Sequence, residues 1–152
     1  MQQRWSSHAL RQLQLVVPGG AITHYLRTHE HLAAALANSD PESWGRTAAV
    51  ASLAFGALTV LLFVYILLTP WIHGVQPDFR SWRESGQLSS VIPMLTFSIV
   101  TGFLGTAVTL GQWTDLGYPR AVVGTSAIYA LGFGLLGLLP APRLGTRTQR
   151  PD

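Results

Sequence analysis

By residue type, the best candidates for metal chemistry are His24, His29 and His31, which fall within eight residues around Glu30. On a helix, His24 and His31 lie two turns apart on one side, while His29 and His31 diverge. A two-histidine site normally uses i, i+4 spacing or adds a carboxylate, and Glu30 points elsewhere on the helix. The cluster therefore reads as a polar interfacial face, and no metal ligand is assigned. A second group, His73, Asp78, Arg80, Arg83 and Glu84, holds the residue types of an acid, a base and a phosphate clamp for a lipid head group. Its spacing imposes no such geometry. Arg80 and Glu84 at i, i+4 equally make a surface pair worth a few tenths of a kcal/mol. No catalytic residue is assigned.

Absent residue types exclude further chemistry. The chain has no Cys, which removes disulfides, zinc–thiolate and iron–sulfur sites and a thiol nucleophile. All ten basic residues are Arg, so there is no Schiff-base or P-loop lysine. The arginines are scattered, whereas a nucleic-acid surface needs one positive charge per phosphate contact, so no nucleic-acid partner is expected.

These residues are positioned by long uncharged runs. Charged residues make up 11% of the 152, against roughly 25% in soluble domains. The run Ala48–Ile72 has no charged residue and no Asn, Gln or His. About 20 helical residues cross a hydrocarbon core roughly 30 Å thick, so this run spans with residues to spare. Two more follow, and spans are expected at about 48–70, 91–111 and 121–139. Trp44 and Arg46 stand before the first span and Trp71 at its far end. Trp82, Trp113 and Tyr118 lie in the connections, where aromatic rings anchor at head-group depth. No Asp, Glu, Lys, Arg or His lies within a span. That disfavours ion and proton pathways and leaves no axial ligand for a haem. No cofactor and no soluble small-molecule substrate are expected.

Small residues recur along the spans. Ala48, Ser52 and Gly56 lie four apart on the first, and Ser98, Gly102 and Thr106 on the second, with Thr101, Gly105 and Thr109 beside them. Ser126, Ala130 and Gly134 form the strip of the third. Such strips let backbones approach closely, and their hydroxyls bond between helices. They are read as helix-packing faces directed at other membrane-protein subunits.

Residues 1–38 carry no acid before Glu30, but hold Arg4, Arg11 and Arg27. Leu10, Leu13, Val16 and Val17 mark an amphipathic helix, expected to break at Pro18-Gly19-Gly20. A second helix follows through Ile22, Tyr25, Leu26, His29, Leu32 and Leu36, ending near Asn38. Both are expected at the membrane interface, and the acid-free, Arg-bearing composition is that of a mitochondrial targeting segment. Ser39–Ser43 forms the turn that starts the first span, and residues 143–152 form a polar, disordered tail. With three spans, Arg46 and Arg120 flank one side of the membrane. Arg80, Arg83, Arg143, Arg147 and Arg150 flank the other. That count favours the tail on the cytoplasmic or matrix side, in conflict with a matrix-directed N-terminus.

The sequence thus predicts an all-α membrane protein of three transmembrane helices with one or two N-terminal amphipathic helices. Its expected role is that of a non-catalytic accessory or assembly subunit of a larger complex. The mitochondrial inner membrane, with a respiratory-chain complex as a candidate host, is favoured over the endoplasmic reticulum or a bacterial plasma membrane. The alternatives are an enzyme acting on lipid head groups through the 73–90 loop, and a self-associating scaffold.

Overall fold

A computed structural model describes residues 2–37, 43–73, 83, 84, 86 and 88–139. The described residues form five helices and no strand: α1 (Gln2–Tyr25), α2 (Thr28–Ala37), α3 (Trp44–His73), α4 (Leu88–Gln112) and α5 (Tyr118–Gly137). Three of them, Trp44–Thr69 of α3, α4 and α5, are long and apolar enough to cross a membrane. Each overlaps a run read from the sequence, so the chain is all-helical with the lengths and composition of a multi-pass membrane protein.

The N-terminal segment departs from the expected break. Pro18 lies inside a continuous α1, although it removes one backbone donor at a cost of ~3 kcal/mol in an isolated helix. The compensation comes from α5. A Cβ placed on Gly19 would stand 2.9 Å from both the Ala127 carbonyl oxygen and the Leu131 nitrogen, so the two backbones meet at that glycine. The chain turns instead at Leu26–Arg27. There Arg27 takes a left-handed φ of 49°, and its carbonyl accepts from the Glu30 and His31 amides at the start of α2. The Arg27 guanidinium also pairs with Glu30 at 2.7 Å on the exposed surface.

Two antiparallel pairs build the bundle. In the first, Gly45 of α3 meets Trp113 just past α4, Ser52 meets Gly105, and Phe55 and Gly56 meet Gly102. Thr59 bonds Ser98 one turn further along. In the second, Gln12 of α1 meets Gly137 of α5, Val16 meets Gly134, and Gly19 meets Ala127 and Leu131. Thr28, the first residue of α2, meets Gly124. The pairs join through α4 and α5, where Tyr129 reaches Gly102 and stacks edge-on to Phe103 at 5.5 Å. Gly117, at φ 73°, makes the α4–α5 turn that a residue bearing a Cβ would strain. Pro119 follows in the first turn of α5, where its missing donor costs nothing.

The interior is small and hydroxyl-rich. Leu110, Ser98, Thr109, Thr125 and Thr28 are its largest fully buried side chains. Large apolar residues such as Leu61, Phe97 and Leu104 face outward, the arrangement required where the solvent is lipid.

Candidate functional site

The packing strips serve this chain first. Ser52, Ser98, Thr106 and Thr109 are buried, Gly102 is buried with them, and Ala48, Thr101 and Gly105 are half-buried. Ser52, Thr106 and Thr109 donate to carbonyls one turn back, of Ala48, Gly102 and Gly105. A Cβ on Gly105 would stand 2.5 Å from Ser52 Oγ, and one on Gly102 2.5 Å from the Tyr129 hydroxyl. Both glycines therefore close the α3–α4 seam, and α5 as well at Gly102. They are not open to another protein.

On α5 the working face differs from the strip read in the sequence. Ser126 is exposed and donates to the Val122 carbonyl, and Ala130 is half-buried. Of that strip only Gly134 is packed closely, against Val16 and Leu15 of α1. The face that docks α1 and α2 is Gly124, Ala127, Leu131, Gly134 and Gly137. Its residues recur at three, four, three and three, against the steps of four in the strip read from the sequence. Its glycines were visible in the sequence, but its partner was not.

The boundary residues gather at one end of the bundle. Trp44 and Arg46 begin α3, Trp113 follows α4 and Tyr118 begins α5, all of them exposed. Trp71 lies in the last turn of α3 at the opposite end. Trp82 lies outside the described residues, as do Asp78, Arg80 and the 143–152 tail. Arg83 and Glu84 are described and exposed. Of the histidine cluster, His29 comes within 3.8 Å of Glu30, with both side chains about half exposed at 57% and 48%. Among the described residues no group of three or more His, Asp or Glu could hold a metal ion.

An apolar cleft of about 220 Å³ lies between α3 and α5, floored by Thr106 of α4. It follows α3 from Ser52 to Val60 and α5 from Ile128 to Leu136, a length of about 12 Å at helical rise. Gly56 and Gly132 line it, and a Cβ on either would meet nothing within 4 Å. The hydroxyls on its wall are already committed within the chain, Ser52 to Ala48, Thr59 to Phe55 or Ser98, and Thr106 to Gly102. Tyr129 lines it too, with its hydroxyl buried and without a partner among the described residues. Leu32 of α2 reaches the cleft, and α2 itself packs on α3, α4 and α5. One side chain of α2 thus contributes to the cleft wall.

No family model, no curated protein and no solved structure matches the chain. Any reading of its role rests on this geometry.

Among the described residues the cleft is lined by no carboxylate, histidine, lysine or arginine, and its polar groups are the hydroxyls of Ser52, Thr59, Thr106 and Tyr129. It can accept apolar side chains.

Proposed function

We propose that the chain is a non-catalytic subunit of a larger membrane complex, and that it receives a transmembrane helix of another subunit in the cleft between α3 and α5. The observation that carries this reading is the pair Gly56 and Gly132. They leave open space on two helices that are otherwise apolar and well filled. Small residues facing outward from a span admit a neighbouring backbone closely, and in lipid that packing is the main source of helix association. The way α2 sits on α3, α4 and α5 supports a helix as the occupant. The same reading puts the complex in the mitochondrial inner membrane, on the strength of the acid-free segment before Glu30 with its Arg4 and Arg11.

A photo-crosslinking residue at position 132 tests the docking, with position 122 on the exposed side of α5 as control. The expected result is an adduct of defined mass from 132 alone, abolished by Gly56→Leu while the chain still inserts and runs as a folded species. Adducts with lipid only, or with a second copy of the chain, overturn the reading. So does migration at monomer mass alone in gentle detergent. Fractionation of the tagged full chain tests the compartment, and recovery outside mitochondria overturns that part.

A further inference from the structure

We propose that α1 crosses the bilayer beside α5 as a fourth membrane helix, which places its N-terminus on the same side as the α3–α4 connection and the segment after α5. The two helices are antiparallel and in register along α5 from Gly137 to Ala127. Gln12, Val16 and Gly19 meet Gly137, Gly134 and Ala127–Leu131 in turn, and Thr28 at the start of α2 meets Gly124 beyond them. A helix lying flat on the membrane surface cannot keep that register with one that crosses it. By composition α1 is less apolar than the three spans, and its part beyond Arg11 is about 21 Å long, so the Arg11 side chain must extend to the head groups for α1 to cross the core.

The side chains of α1 agree. Gln12, Val16, Gly19 and Thr23 recur at four, three and four residues and form the face toward α5, with Gly19 and Thr23 buried. An interfacial helix would turn charge outward from that face. Here the opposite side carries Leu10 and Val17, exposed at 60% and 62%, with Ala21 between neighbouring Gln14 and Tyr25. Between Arg11 and Arg27 there is no Asp, Glu, Lys or Arg. Those two arginines bracket the segment, and their long side chains reach the head groups. Pro18 fits as well, because membrane helices tolerate proline where a neighbouring helix packs against it.

Charge is compatible with this arrangement. With α1 crossing, Arg4 and Arg11 join Arg80, Arg83, Arg143, Arg147 and Arg150 at one end, leaving Arg27, Arg46 and Arg120 at the other. The arginines near the ends of three spans already favour the tail side, so the count does not by itself choose between three and four crossings, but four crossings put the N-terminus on that same cytoplasmic or matrix side. The conflict between the arginine count and the N-terminal composition disappears.

Because the chain has no native Cys, single cysteines report its sidedness directly. Ser7→Cys, Gly86→Cys and Asp115→Cys would be treated with a membrane-impermeant maleimide in sealed vesicles of known orientation. Positions 7 and 86 are expected to react from one side and 115 from the other. Reaction of 7 from the side of 115 overturns the proposal. Should position 7 stay silent, a nitroxide at Val17→Cys decides: high oxygen and low nickel-chelate collision rates place it in the bilayer core, and the reverse places it at the interface and overturns the proposal. Neither readout depends on any partner subunit, so failure of the docking reading leaves this one standing.

Discussion

Thr59 Oγ1 and Ser98 Oγ lie 3.0 Å apart in the buried seam between α3 and α4. Each is also within 2.9 Å of a carbonyl on its own helix, Phe55 for Thr59 and Leu95 for Ser98. A hydroxyl carries a single proton. One of the two therefore donates across the gap while the other donates to its own backbone. The seam is held by a bond that competes with an intrahelical alternative, which places its net value at the low end for membrane helices.

Ser98→Ala and Thr59→Val are accordingly each expected to cost about 0.6 kcal/mol and no more than about 1.7 kcal/mol. The double variant should cost less than the sum of the two, because each single change already removes the shared bond. Reversible unfolding in mixed detergent micelles, run as a double-mutant cycle, checks this. Strict additivity would show that the two hydroxyls do not bond.

Gly19 and Gly20 are neighbours in sequence with opposite demands. A Cβ on Gly19 meets backbone atoms at 2.9 Å, which cannot rotate away, whereas one on Gly20 meets only Leu131 Cδ1 at an ordinary 3.8 Å. Gly19→Ala is expected to destabilise the bundle by about 1–3 kcal/mol and to expose α1 to protease. Gly20→Ala should be neutral, or stabilising by up to about 1 kcal/mol, through helix propensity alone. Equal effects from the two variants would refute the α1–α5 contact.

The sequence made the three apolar helices legible because length and the absence of charge are local properties. The strips on α3 and α4 were legible too, since the two helices are neighbours in sequence and pack on each other. The role of those strips was not. Whether Gly102 serves this chain or another depends on where Tyr129 falls, and that is set by the α4–α5 turn. The docking of α1 was hidden more deeply. Pro18-Gly19-Gly20 carries the local signature of a break, and only the Ala127–Leu131 backbone, more than a hundred residues away in sequence, turns it into a contact. Among the described residues, Ser126 packs against no other helix of this chain for a related reason: spacing fixes which residues share a face, and tertiary neighbours fix which face is covered.

Arg27 holds the turn between α1 and α2 in a left-handed conformation that costs a non-glycine residue roughly 1 kcal/mol. Its pair with Glu30 is exposed at 69% and 48% and offsets little of that. Arg27→Gly is therefore expected to leave stability unchanged or raise it slightly, while Arg27→Val should lower it by more than 1 kcal/mol, since a β-branched residue fits that region worst. Thermal unfolding of the detergent-solubilised chain compares them. A valine variant as stable as the glycine variant would mean that the turn relaxes out of the left-handed region.

Four hydroxyls are buried without a partner among the described residues: those of Thr23, Thr28, Thr125 and Tyr129. An unsatisfied buried hydroxyl costs about 1–3 kcal/mol, and removing it while keeping the shape recovers that cost. Tyr129→Phe keeps the ring against Phe103 and Phe133 and takes away only the oxygen that lies over Gly102. Thr28→Val is likewise isosteric at a site with no solvent exposure. Both variants are expected to be more stable than the parent by up to about 1 kcal/mol, measured by unfolding in micelles. The opposite sign at Thr28 would show that its hydroxyl is satisfied by an internal water, since a valine would then strand a molecule that the junction of α1, α2 and α5 had bound. A loss at Tyr129 would instead show that its hydroxyl is satisfied in the isolated chain, by a water held at the cleft.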